Sequence, residues 1–266
     1  MNELPLARSG RGALEVATEA VRRAGETLKA SFRGERHIEV KGRGNIVTDA
    51  DLQVEKALTS LLSREYPNFA VLGEESPQTP TDSPYTWVVD PLDGTNNYTW
   101  GIPFWAVVLA LARGGEVLLG LIYDPLRDEL FYAQKGKGAF LNEEPMRVSA
   151  TKTVPQAIIG TDLGYVDENG KLMLELMGRI WPGMHAMRIM GSGALGMAYA
   201  ACGRLDVYFH PLLYPWELGC GGLLVVEAGG KATDWQGNPL GVRSSSAIAA
   251  NEALHSEIMR VVNERA

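Results

Sequence analysis

Apolar residues recur at helical spacing near the start of the chain: Leu14, Val16, Ala17, Ala20, Val21, Ala24 and Leu28 share one face, with charges between them. That pattern predicts an amphipathic first helix over 14–32. Residues 33–45 are polar and basic with three glycines, and predict a hairpin or mobile loop rather than a core element. The segment from Ile46 to Asp51 opens a second helix running through Val54, Leu58, Leu61 and Leu62 to Pro67, capped by Thr48 or Asp49. A short apolar run, 69–72, stops at Gly73-Glu74-Glu75-Ser76, and a Pro/Ser/Thr loop fills 77–86. Trp87-Val88-Val89 reads as a buried strand that gives way to a turn at Asp90. Strands at 104–112 and 116–123 are joined by a hairpin turn at 113–115, and 129–133 and 138–141 continue the meander. From about residue 149 the pattern alternates: strand 157–160, helix 168–181, small-residue helix 191–202, strand 206–209, helix 216–228, then 247–250 leading into a terminal helix. This is the α/β pattern. It divides the chain into an N-terminal α+β half, 1–148, and a C-terminal α/β half, 149–266, of one compact unit.

With 266 residues, 45% hydrophobic and 21% charged, the chain has an ordinary globular composition and enough length for a full core. A net charge of −7 argues against nonspecific nucleic-acid binding, which needs clustered Lys and Arg. No run of about 18 apolar residues offers a membrane span, and Met1 to Gly12 lacks a signal-peptide layout, so the expectation is a soluble, cytoplasmic protein. Cys202 and Cys220 stand in small-residue surroundings and are expected as buried thiols, without a disulfide.

The chemistry concentrates in Asp90-Pro91-Leu92-Asp93-Gly94-Thr95. Two carboxylates at the exit of a buried strand are costly unless cations neutralise them. Oxygen ligands without nearby His or Cys favour a hard ion, Mg²⁺ first and Mn²⁺ second. Gly94 permits close approach of a ligand, and the amides of a helix beginning at Thr95 and Asn96 suit an anion. Metal beside an anion implies phosphate chemistry, whereas the plainer reading leaves Asp90 and Asp93 as turn caps. The strand ending in Glu74 repeats the arrangement, and adjacent strand ends commonly converge on one site. Lys41 and Arg43 are placed either to swing toward a phosphate or to be solvated. His37, His185 and His255 lack partners at metal-ligand spacing, while Tyr199, Trp181 and the methionines of 173–197 read as core or dimer contacts. Ser192, after Gly191, reads first as a helix cap and second as a substrate contact.

The central stretch, 87–98, resembles the first signature of the inositol monophosphatase family of Mg²⁺-dependent, often lithium-sensitive phosphatases. Asn45 to Glu55 is similar to the family's D-L-V-T-x-x-D region, Val71 to Ser76 to its G-E-E segment, and Pro215 to Gly230 to its second signature. The resemblance spans roughly residues 10 to 260. It implies a layered α-β-α-β-α sandwich, usually a homodimer, with two or three Mg²⁺ ions. By the same resemblance Glu74, Asp90 and the Leu92 carbonyl match one metal site, and Asp90, Asp93 and Glu217 a second. Glu74 with water matches a third. Asp51 and Thr95 match the residues that activate the attacking water, and the Gly94 and Thr95 amides match the phosphate cradle. Gly191, Ser192 and His210 fall where substrate contacts are made.

Three positions depart from the family pattern. Glu217 stands where Asp is usual, His210 where inositol-handling members often place a carboxylate, and Tyr214 where a small or polar residue is commoner. His210 is therefore a candidate for substrate choice or for packing. The resemblance implies a phosphomonoesterase acting on a small polyol or sugar phosphate, inositol monophosphate first. Fructose 1,6-bisphosphate, histidinol phosphate and a 3′-phosphonucleotide are alternatives within the class, and a non-catalytic binding or regulatory protein is the alternative outside it.

Overall fold

The computed structural model describes residues 4–34, 37–42, 45–76 and 81–264, with the side chain of Glu217 excepted. Helices α1 (Ala13–Ser31) and α2 (Asp49–Glu65) cover one face of a seven-stranded sheet. The sheet runs in the order β3 (Ala70–Gly73), β4 (Tyr85–Asp93), β5 (Ala106–Arg113), β6 (Glu116–Asp124), β7 (Glu129–Gln134), β8 (Gly138–Leu141) and β9 (Glu144–Pro145). All its pairings are antiparallel except β3 with β4. Between α1 and α2 an antiparallel hairpin forms from β1 (Ile38–Gly42) and β2 (Asn45–Thr48). The segment 46–48, expected as the opening of the second helix, is therefore strand. Thr48 has extended backbone angles and caps α2, which starts one residue later.

Helices α5 (Gly193–Ala201) and α6 (Pro215–Glu227) lie on the other face of the seven-stranded sheet. Beyond them is a five-stranded sheet in the order β11 (Ala186–Ile189), β10 (Ile158–Thr161), β12 (Val207–His210), β14 (Ala247–Ala250) and β13 (Lys231–Thr233). Its outer face is covered by α4 (Asp167–Ile180) and α7 (Glu252–Asn263); the short α3 (Thr95–Thr99) stands at the site. The layers thus read α, β, α, β, α, as the resemblance implied.

Because both faces of the sheet are covered, β5 is apolar from Ala106 to Ala112. Val107, Leu109 and Leu111 pack toward α1 and α2, while Ala106, Val108, Ala110 and Ala112 pack toward α5 and α6. The elements not anticipated were short: β9, β11, β13 and a single 3-10 turn at Val154–Gln156. Cys202 is half-buried and Cys220 buried, both as free thiols.

Candidate active site

Strand β4 does not end at Asp90 but continues to Asp93 through an irregularity. Asp90 pairs with Val108 and Asp93 with Ala106, so one residue of β5 faces two of β4, Pro91 and Leu92. Pro91 has no N–H to give to the ladder, which is why the bulge falls there. In a regular strand, residues three apart point to opposite faces. The bulge re-aims them, and Asp90 and Asp93 line one cavity of about 250 Å³ together with Glu74, Gly94, Thr95 and Asp162. Glu74 arrives from the adjacent strand end, since its neighbour Gly73 pairs with Val89.

Each acid is held differently. Asp90 Oδ1 accepts the Leu92 N–H at 3.0 Å. Asp93 reaches the start of α5, where Gly193 N–H donates to Oδ1 at 3.2 Å and Ala194 N–H to Oδ2 at 3.1 Å. The Ser192 hydroxyl also donates to Asp93 Oδ2, and its oxygen caps α5 by accepting from Leu195 N–H at 3.2 Å. Burial pushes Asp93 up to about 6 against those donors. Glu74 is pushed up to about 8 by burial, with Lys41 opposing and Glu75, Asp51 and Asp93 adding repulsion. Lys41 Nζ lies 2.5 Å from Glu75 and 3.8 Å from Glu74. Arg43 lies outside the described residues.

Asp51 stands behind Thr95 rather than on the cavity wall. The Thr48 N–H donates to its Oδ2 at 2.9 Å and the Thr48 hydroxyl to the same atom, while Thr95 Oγ1 lies 3.2 Å from its Oδ1. Burial pushes Asp51 up to about 6, opposed by the two Thr48 bonds. Thr95 Oγ1 is also 2.9 Å from the Leu92 carbonyl, so its single proton has two acceptors to choose between. Gly94 caps α3 with φ of 88°, and a Cβ there would meet the Gly191 and Phe104 carbonyls at 3.1 Å, so only glycine fits. Gly191 is fixed from two sides. The Asn97 amide donates to its carbonyl at 3.1 Å, and its own N–H donates to Asp162.

His210 is buried on the cavity wall, and burial lowers it to about 4, so the ring is neutral. Its Nδ1 accepts the Leu212 N–H at 3.1 Å, which leaves the proton on Nε2. Beside it Tyr214 and Trp216 stack at 5.1 Å and 7°, and Tyr165 lines the same side. Among the described residues no Lys or Arg lines the cavity. Helix α6 begins at Pro215, but the Glu217 side chain lies outside the described residues.

Asp162 was missed in the sequence. It is 9% exposed, accepts the Tyr208 hydroxyl at 2.8 Å, and is pushed up to about 6 by burial. The signal was present: an apolar run, 157–160, ends in Thr161-Asp162 much as the runs before Glu74 and Asp90 end in acid. Among the described residues no three His, Cys, Asp or Glu side chains close around a single point as a complete metal cage.

The profile of the inositol monophosphatase family matches residues 11–266, nearly the whole chain. The chain belongs to the inositol monophosphatase family. An inositol-1-monophosphatase of Rhizobium meliloti is 36% identical over 254 residues, covering 94% of this chain and 95% of the relative. A Thermotoga maritima protein named fructose-1,6-bisphosphatase/inositol-1-monophosphatase is 32% identical, covering 94% and 96%. The crystal structure of the suhB extragenic suppressor protein from Bartonella henselae superposes with a TM-score of 0.91 at 35% identity, covering 95% of this chain and 99% of that one. With its layers and its family in agreement, this chain is a phosphoric monoester hydrolase of the inositol monophosphatase type.

Proposed function

We propose that the chain hydrolyses inositol monophosphate, or a closely similar small polyol monophosphate, with Mg²⁺, and that Mn²⁺ substitutes for it. One observation carries this reading: four carboxylates, Glu74, Asp90, Asp93 and Asp162, and the start of α3 line a single cavity that also has an aromatic side. The donors fit a hard cation, since they are oxygens only and the hydrogen-bond donors and Lys41 around them only partly offset the burial of Asp93 and Glu74, pushed up to about 6 and 8. Glu74, Asp90, the Leu92 carbonyl, Asp93 and Glu217 would hold two or three ions, with water completing each. Such cations, when bound, neutralise charge on the phosphate and lower the pKa of an attacking water.

The chain's own groups do the rest. When the Thr95 hydroxyl donates its hydrogen bond to Asp51, its oxygen is left to accept one from the attacking water; as the water's proton moves to Thr95 Oγ1, the Thr95 proton moves to Asp51. Gly94 and Thr95 amides take the phosphate oxygens. Tyr165, Tyr214 and Trp216 offer an apolar surface to the C–H face of a polyol ring, and the His210 Nε2–H is a neutral donor for a hydroxyl. A second phosphate would meet neither Lys nor Arg on the described wall, so a monophosphate fits better than fructose 1,6-bisphosphate. Gly191 and Ser192 shape the wall, and Ser192 also serves Asp93.

The exposed Trp100 and Ile102, just after α3, support a homodimer, as the resemblance implies. Among the described residues no helix is long and apolar enough to cross a membrane. A phosphate-release screen over inositol 1-phosphate, fructose 1,6-bisphosphate, histidinol phosphate and a 3′-phosphonucleotide, with Mg²⁺ and with EDTA, tests the reading. Mg²⁺-dependent release from inositol 1-phosphate is expected. No release from any of the four would favour the non-catalytic alternative.

A further inference from the structure

Helix α2 carries two acids four residues apart, Asp51 and Glu55, each 1% exposed. At this spacing they share a face and stand about 6 Å apart along the axis. Asp51 meets Thr95. Glu55 Oε2 accepts the main-chain N–H of Glu75 at 2.7 Å, so it grips the turn that carries Glu74. Its other oxygen, Oε1, is buried with no hydrogen-bond partner among the described residues. A buried polar atom without a partner is costly, so packing alone does not account for an acid here. Gly73 makes the space: a Cβ at that position would lie 2.6 Å from the Glu55 carboxyl carbon and from Oε1. On its other side the same turn is tied by Lys41 to Glu75 at 2.5 Å. With Glu75 held through both main chain and side chain, the preceding carboxylate is left to enter the cavity.

We propose that Glu55 is a positioning residue that presents Glu74 to the catalytic cation. Helix α2 then works as a ruler, setting the distance between the Glu74 turn and the Asp51–Thr95 pair. This rests on the reading of Glu74 as a metal ligand.

The test is Mn²⁺ binding to the metal-free protein, followed by titration calorimetry without substrate, in four variants. Glu55→Ala removes the grip, Gly73→Ala keeps Glu55 but displaces its carboxyl, and Glu55→Gln keeps an oxygen for the Glu75 N–H. Glu74→Gln serves as the control for the ligand itself. Groups that orient a metal ligand typically change affinity by about 10–100-fold, and that loss is expected for Glu55→Ala and Gly73→Ala, while Glu55→Gln stays near wild type. Wild-type Mn²⁺ affinity in Glu55→Ala, with only the melting temperature lowered, would make Glu55 a structural acid and overturn the proposal. Equal losses in Glu55→Gln and Glu55→Ala would overturn it too, because charge rather than grip would then matter. If Glu55→Ala fails to fold, Gly73→Ala and Glu55→Gln decide by the same criteria. Undiminished binding in Glu74→Gln would sink the ligand reading and the proposal together; a loss in Glu74→Gln with none in Gly73→Ala or Glu55→Ala sinks the proposal alone.

Discussion

Asp162 is a carboxylate kept in a place that disfavours its charge, and its replacement by Asn gives a quantitative check on the electrostatics of the cavity. Its carboxyl is raised from 3.8 to about 6, chiefly by burial, against the bonds from Gly191 and Tyr208. A raised folded-state pKa means that the native protein holds the proton more tightly than the unfolded chain. The associated stabilisation is full below about 4 and is lost as pH rises through about 6. At about 1.4 kcal/mol per pH unit, roughly two units amount to about 3 kcal/mol. An Asn at this position does not titrate, but its oxygen still accepts the Gly191 N–H and its amide still faces the Tyr208 hydroxyl. Stability curves from urea unfolding in EDTA, taken between pH 4 and 8, should therefore diverge. Asp162→Asn gains on wild type as pH rises, by up to about 3 kcal/mol at pH 8. Parallel curves across that range would refute the argument, because they would mean that Asp162 ionises in the folded protein as easily as in the unfolded chain.

Asp90→Asn should abolish turnover while leaving the protein folded; more than a tenth of wild-type activity at saturating Mg²⁺ would count against the site. Thr95→Ala should lower kcat by about 10²–10⁴-fold with little loss of metal affinity, and an equal loss in metal binding would reassign Thr95 to structure. Glu217→Gln should raise the Mg²⁺ needed for half-activity, and Glu217→Asp should shift lithium inhibition; wild-type metal dependence in both would remove Glu217 from the second site. His210→Glu should change the ratio of kcat/KM for inositol 1-phosphate over fructose 1,6-bisphosphate, and an unchanged ratio would show that the imidazole only packs.

Much of this was legible in the sequence because the long elements carry strong periodicity. The apolar face of α1 admits one reading, and the apolar run of β5 is marked as a strand by its shortness and the Gly-rich turn at 113–115. Segment 46–48 misled because Ile46-Val47 fits a helix as well as a strand, and only pairing with β1 decides. Strands β11 and β13, of four and three residues, are too short to show a period and are fixed by their neighbours. In the site, the pairing of acids with Gly94 and Thr95 was visible as a motif. That Asp90 and Asp93 share a face was not, since it depends on a bulge that Pro91 forces into the ladder. The Ser192 contact to Asp93 spans 99 positions of sequence and has no local signature.

The Asp93 carboxylate joins the end of β4 to the first turn of α5, so one side chain fastens the seven-stranded sheet to the middle helical layer. It is also a proposed ligand. A substitution at 93 therefore incurs two penalties at once, and no second change at a single other position restores both. Divergence of this chain toward another metal or another chemistry would have to go around position 93, through the turn that carries Glu74 and the end of β12 at His210, where a new side chain alters the cavity without unfastening the layers.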